Sequence, residues 1–309
     1  MNQTELTQTA PERPDDIKAV PVRRPGRWLG AFIVLVIAAS IIRAVVTNNN
    51  FGWSVVGQYL FDHRIISGAI AVLYMTALAM VVGVILGTIL AIMRLSPNPV
   101  LKMASWLYIW FFRGTPLLVQ FVFWFNIKAL FPHIDLGVPF GPSFIHADPN
   151  SVITVFGAAF LALSTNEGAY MAEVVRAGII SVPEGQSEAA ASLGLNRLQI
   201  MRKVVLPQAM RVILPPTGNE TISMLKNISI ASVIGFAELY YQASDIYAQN
   251  YETIPLLIVA SIWYLALTSI AYVGQYFLER KVGQGFSRSQ QATMKERWLS
   301  LGGGGGGRR

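Results

Sequence analysis

Ser181-Val-Pro-Glu-Gly-Gln-Ser-Glu188-Ala189-Ala190-Ala191-Ser-Leu-Gly194, followed after nine residues by Val204-Val205-Leu206-Pro207, is a polar stretch set between two long apolar runs. Ser181 and Glu184 stand three apart, the spacing of a capping box, and Pro183 falls in the first turn, where its missing N–H costs little. Gly194 supplies a left-handed stop. The pattern predicts a helix over about 182–193, some three turns long, too short and too polar to cross a bilayer. Its alanine run leaves a smooth face on which another protein can approach closely.

Working outward, apolar runs near 28–46, 66–93, 104–129, 152–175, 205–235 and 255–279 recur along the chain. Each is close to or above the about 20 helical residues that span a hydrocarbon layer of about 30 Å. Composition agrees: 53% of the 309 residues are hydrophobic and 13% charged, against about 25% charged in soluble domains. Mean hydropathy is +0.47. The expected fold is therefore an all-α integral membrane protein with about six transmembrane helices.

The net charge of +7 invites a nucleic-acid reading, which its placement removes. Four polar regions, 1–27, 94–103, 176–211 and 280–309, fall on one side of these spans and hold 19 of the 24 Lys and Arg. The loops near 131–151 and 236–254, on the other side, hold none. Lys and Arg near span ends stay cytoplasmic, so both termini and the 176–211 loop are expected in the cytosol. With no cysteine, and with His63, His133 and His146 scattered, neither metal nor redox chemistry is indicated. No Gly-x-x-x-x-Gly-Lys-Ser/Thr loop is present to cradle ATP, and no nucleophile-base arrangement marks the chain as an enzyme.

Four regions are expected. Residues 1–27, with four prolines and mixed charge, read as a disordered cytoplasmic tail. Residues 28–65 hold an extra N-terminal span, kept as an anchor because no cleavage site follows it, and an outside segment, Phe51 to Leu60, that is either a short interfacial helix or a plain loop. Residues 66–283 form the core, and 284–309 a cytoplasmic tail with a Gly-rich end.

The pattern Glu-Ala-Ala, three residues, Gly, nine residues, an aliphatic, one residue, Leu-Pro is similar to the signature loop of ABC importer permeases, with Val204 where that family usually has isoleucine. Arg113-Gly-Thr-Pro116-Leu-Leu-Val-Gln120, Ala169-Tyr-Met-Ala-Glu173-Val-Val-Arg176-Ala-Gly-Ile and Leu206-Pro-Gln208-Ala-Met-Arg211 resemble the branch that imports polar amino acids and opines. The resemblance runs from about 66 to 283 and implies a type I five-helix permease core. It also implies two partner ABC subunits that bind ATP and Mg, a second permease (a copy or a paralogue), and an extracytoplasmic amino-acid-binding protein. By resemblance the short helix is the coupling helix, and Glu188, Ala189, Ala190 and Gly194 contact the ATPase. The rival reading is a secondary transporter or channel with autonomous gating.

Ionisable groups within the spans should face protein or a water-filled cavity. Asn219, Glu220, Ser223, Lys226 and Asn227 recur at helical spacing as one polar stripe just beyond Pro215 and Pro216, which are expected to kink or interrupt the span. A broken helix beside charges resembles the midplane solute sites of transporters. Two readings stand for the stripe: Glu220 attracts a ligand ammonium while Lys226 and Asn227 address a carboxylate, or Glu220 and Lys226 pair structurally. Where the branch commonly has Lys-Asp-Thr-Ser, this chain has Lys226-Asn227-Ile228-Ser229, which weakens the case for a cationic cargo. Glu167, in Ser164-Thr165-Asn166-Glu167, either lines the cavity or caps a helix break. Arg113-Gly-Thr-Pro is expected to bend its span in a structural role, Met75 and Thr76 to border the cavity, and Gly83 and Gly87 to pack helices closely.

Overall fold

The computed structural model describes residues 25–130, 134–137, 143–147 and 153–283. The 1–24 and 284–309 tails lie outside the described residues. Two units form, 1–51 and 52–309. In the first, α1 (Pro25–Thr47) is followed by a single 3-10 turn. Its Ser40 and Thr47 hydroxyls donate to the carbonyls four residues back, Val36 and Arg43, so these polar side chains are satisfied within the helix.

In the second unit, α2 (Trp53–Tyr59) makes the Phe51 to Leu60 segment largely a helix. The carboxylate of Asp62 then caps α3 (His63–Leu95) by accepting from the Arg64 N–H. Three residues link α3 to α4 (Pro99–Gly114), which Asn98 caps with Pro99 in its first turn. The polar 94–103 region is thus mostly helical. α5 (Leu117–Asn126) follows α4 across a 105° bend. The expected bend is there, and its cause is visible. Pro116 has no N–H for the Phe112 carbonyl four residues back, so two side chains replace it: Gln120 Nε2 at 2.9 Å and Asn166 Nδ2 at 3.0 Å.

Between α5 and α6 the chain forms a small antiparallel hairpin of β1 (Ile134–Gly137) and β2 (Ser143–Ala147), an addition to the expected helices. α6 (Val155–Ile180) packs against α3, α4 and α5. Small residues allow this close approach: Ala158, Ala159, Ala162, Ala169 and Ala172 are fully buried. Gly83 of α3 lies where a Cβ would come 2.6 Å from Glu167 Cγ, and at Gly87 it would come 2.5 Å from Met171 Cβ and 2.8 Å from the Ala172 nitrogen. Gly87→Leu should therefore lower stability by about 1–3 kcal/mol through overpacking, read as earlier thermal unfolding of the detergent-purified chain. Gly274→Ala, in open space, should not.

α7 (Glu184–Ser192) is the short helix expected from the opening stretch. Its start differs from expectation: Ser181 still closes α6 and its hydroxyl donates to the Gly178 carbonyl at 2.7 Å, so no Ser181–Glu184 capping box forms and Pro183 becomes the N-cap. Its end is as read. Gly194 is left-handed (φ +80), with Gly194 N donating to Ala191 O and Leu195 N to Ala190 O, the paired bonds of a Schellman stop. A capping box does occur one helix later, between Asn196 and Gln199 at the start of α8 (Arg197–Ile200).

A π turn, Met201–Val205, leads into α9 (Leu206–Asn227). Of the two outcomes expected at the prolines, interruption does not occur: α9 runs through Pro215 and Pro216 as one helix. Side-chain donors supplement the backbone ladder there: Thr217 Oγ1 reaches the Ile213 carbonyl at 2.8 Å and Gln275 Nε2 the Pro215 carbonyl at 3.3 Å. The interruption comes later, where a 3-10 segment (Ile228–Ile234) ends at left-handed Gly235 and the path bends by 46° into α10 (Leu239–Asn250). Part of the expected 236–254 loop is therefore helix. Buried Glu238 caps α10 by accepting from the Tyr240 and Tyr241 N–H groups, and Tyr264 of α11 (Thr253–Gly283) donates to the same carboxylate at 2.6 Å.

Among the described residues, three helices are long and apolar enough to cross a bilayer, or up to five if each bent pair is one span. α6, with 26 residues, is about 39 Å long at 1.5 Å per residue. Its polar turn Ser164–Glu167 lowers its hydropathy, and its burial among other helices makes an apolar surface unnecessary.

Candidate functional site

Three broken or polar elements enclose a cavity of about 560 Å³. The α4–α5 bend contributes Arg113 through Leu117, α6 contributes Asn166, Glu167 and Tyr170, and α9 with the 3-10 segment contributes Glu220, Ser223, Asn227 and Ile230. Spacings of three and four residues put each helix's contribution on one face. The bend does more than terminate a helix. It opens the backbone at Gly114 and turns Arg113 onto the same wall as two carboxylates.

Glu167 is 5% exposed, and its Oε1 has no hydrogen-bond partner among the described residues. A buried carboxylate oxygen left unpaired is costly, so Glu167 is a desolvated acidic group at the cavity's edge. Asn166 is held by its bonds to the Phe112 carbonyl and Gln120 Oε1, which fixes the α6 turn carrying Glu167 against the bend. Arg113 lies over the Tyr170 ring at 5.1 Å from its centroid. The wall thus offers two carboxylates, one guanidinium and neutral amide and hydroxyl groups, suited to a small solute carrying charges of both signs.

Of the residues singled out in the sequence, Glu167, Glu220, Ser223 and Asn227 come together on this wall. Asn219 and Lys226 do not. At 100° per residue, residues 220, 223 and 227 fall within about 60° of one another, while 219 and 226 lie on the adjoining flank. Asn219 instead accepts from Gln275 Nε2 at 3.0 Å, and Lys226 is exposed. Thr76 is buried within the bundle, away from the wall, its hydroxyl unpaired. Arg113 and Tyr170 belong to the wall without having been expected there. Arg113 beside a Gly-x-Pro break was the available signal, since broken helices beside charges are what line such sites.

At the far end of α9, the short helix α7 presents Glu188, Ala189 and Gly194 to the exterior. Ala190 is 5% exposed and belongs to the chain's own packing, α7 resting on the π turn. It therefore cannot be a free contact for another subunit. Leu193 and Leu198, 82% and 76% exposed, are apolar residues beside the same tip that the sequence reading passed over.

The profile of the family described as binding-protein-dependent transport system inner membrane component matches residues 83–284. The arginine transport system permease protein ArgU of Corynebacterium glutamicum is 46% identical over 294 residues, 94% of this chain and 90% of that protein. The L-cystine transport system permease protein TcyB of Bacillus subtilis is 36% identical over 232 residues, 74% and 91% of the two chains. Among solved structures, an amino acid ABC transporter crystallised with histidines superposes at TM-score 0.59 with 40% identity, over 71% of this chain and 94% of that one. An inward-facing MetNI methionine ABC transporter shares the fold, with TM-score 0.54 and 18% identity over 71% and 95% of the chains.

Proposed function

This chain belongs to the binding-protein-dependent transport system inner membrane components, as a membrane-spanning permease subunit of an ABC importer, and we propose that its cargo is a polar amino acid with a cationic side chain. The observation that carries the choice of cargo is the charge on the cavity wall: Glu167 and Glu220 against Arg113 alone. A zwitterionic head needs one cation and one anion, leaving a second carboxylate for a positive side chain. Arg113, not Lys226, then addresses the α-carboxylate, Glu220 the α-ammonium, and unpaired Glu167 the side-chain cation. The 46%-identical relative named for arginine transport supports this reading. The asparagine at 227 removes one charge from the branch's usual pattern without removing the acidic excess.

The cargo moves inward by alternating access. Two ATP-binding subunits hold ATP and Mg, a second permease (identical or paralogous) completes the pathway, and an extracytoplasmic amino-acid-binding protein delivers the solute. This chain itself catalyses no reaction. The distribution of Lys and Arg supports a cytoplasmic side for both termini and α7. Closure of the ATPases draws the two α7 helices together, and α6 and α9, between which α7 is strung, carry that movement to the cavity.

Proteoliposomes containing the assembled transporter should take up labelled L-arginine only with internal ATP and binding protein, and an ATPase lacking hydrolysis should reduce uptake to background. Uptake driven by an ion gradient alone would instead identify an autonomous secondary transporter.

A further inference from the structure

A second groove runs along α4 between the end of α3 and α6, and it adjoins the cargo cavity, with which it shares Arg113, Gly114 and Tyr170. Two adjoining hollows, of about 440 and 330 Å³, share Arg94 and Trp106. The first extends past Trp110 to Arg113, and the second ends at Lys102. Arg94 closes α3 and Lys102 opens α4, and the two are joined by an Arg94 Nη1 bond to the Lys102 carbonyl at 3.5 Å. Neither cation has a carboxylate within ion-pair distance among the described residues. The one acidic residue on the groove, Glu173, is taken: its Oε2 accepts from Arg176 Nε at 3.0 Å and Nη2 at 2.7 Å.

The remaining lining is aromatic and aliphatic. Trp106 and Trp110 stack at 6.2 Å between centroids, 13° apart, and are 42% and 62% exposed. Val100, Met103 and Leu107 extend the apolar face of α4 beside them. Stacked tryptophans next to unpaired cations at the end of membrane spans are the composition of the headgroup layer. Basic pockets between spans on the cytoplasmic side take anionic headgroups.

Resting on the cytoplasmic placement of this end proposed above, we infer that the groove binds one anionic phospholipid, its phosphate between Arg94 and Lys102 and its acyl chains along Trp106, Trp110 and Met103. A free phosphate satisfies the cations but leaves the apolar face bare. A second permease on this face leaves both cations buried without partners, at high cost. A lipid of negative headgroup answers both halves of the groove.

The test uses the complete transporter in nanodiscs of phosphatidylcholine with a minor fraction of phosphatidylglycerol, delipidated stepwise and read by native mass spectrometry. Wild type should retain phosphatidylglycerol and release phosphatidylcholine. The double variant R94Q/K102Q should retain it roughly thirtyfold less, two cations acting near the surface, whereas R197Q/R202Q, on the α8 side, should retain it as wild type does. Equal retention in wild type and R94Q/K102Q overturns the inference. So does displacement of the lipid by millimolar inorganic phosphate, which makes the site one for free anions. Disulfide trapping between permeases through Met103→Cys overturns it as well, by covering the groove with protein. If R94Q/K102Q fails to assemble, Trp106→Ala with Trp110→Ala, which keeps both charges, should lose the lipid while phosphate binding persists. ATP-driven uptake measured in the same discs' proteoliposome counterparts reports separately on the permease reading, because lipid retention needs neither ATP nor cargo.

Discussion

Replacing Ala189 with arginine should reduce ATP-driven uptake roughly a hundredfold while the chain still inserts and assembles its bundle. The size follows from two costs at a tightly apposed surface: forcing a long side chain where a methyl group fits and burying a charge without a partner. Ala189 is exposed in the isolated chain, so nothing within the fold opposes the substitution. Leu193→Asp should act in the same direction, since it sets a charge at an 82% exposed leucine on the same proposed contact surface. Ala190→Arg is the internal contrast. That side chain is buried against the chain's own packing, so the variant should lose thermal stability as well as uptake. Co-purification of the ATPase with each variant, alongside uptake and thermal unfolding, separates the outcomes. If Ala189→Arg keeps its uptake, α7 is not the coupling surface.

Why the sequence spoke clearly about some features follows from their physics. Long apolar runs, the Gly194 stop and the short polar helix depend on local chemistry that any window of residues displays. The capping box was misplaced because Ser181 has two uses, and the preceding helix, being longer than its apolar run, claimed it first. The proline pair left interruption open for a related reason. Sequence shows that Pro215 and Pro216 take the helical donors from the Arg211 and Val212 carbonyls, but not that the flanking turns carry α9 past them as one helix. For the cavity, helical spacing brought Glu220, Ser223 and Asn227 together correctly, but could not say which edge of a wide polar stripe faces inward. That decision rests with α11, whose Gln275 draws Asn219 to the other side. Arg113 was legible only as a residue near a break, because its partners on α6 and α9 lie more than fifty residues away.

Glu167→Gln should remove the preference for a cationic cargo without removing transport. Glutamine has nearly the same shape, so the contact with Gly83 is kept, where a Cβ would come 2.6 Å from the residue 167 side chain. What changes is charge. A charge-assisted hydrogen bond is worth about 1.5–3 kcal/mol, so affinity for L-arginine should fall about ten- to a hundredfold. L-Citrulline, its neutral isostere, never gained that interaction and should bind as before. Arg113→Gln predicts a different pattern, weakening arginine and citrulline alike, because both carry the α-carboxylate. Measuring the two ligands against both variants therefore assigns each charge to one end of the cargo. Should Glu167→Gln weaken both ligands equally, Glu167 holds the common head rather than the side chain. Should it weaken neither, the unpaired Oε1 of Glu167 is a strained structural feature and the acidic wall does not select the cargo.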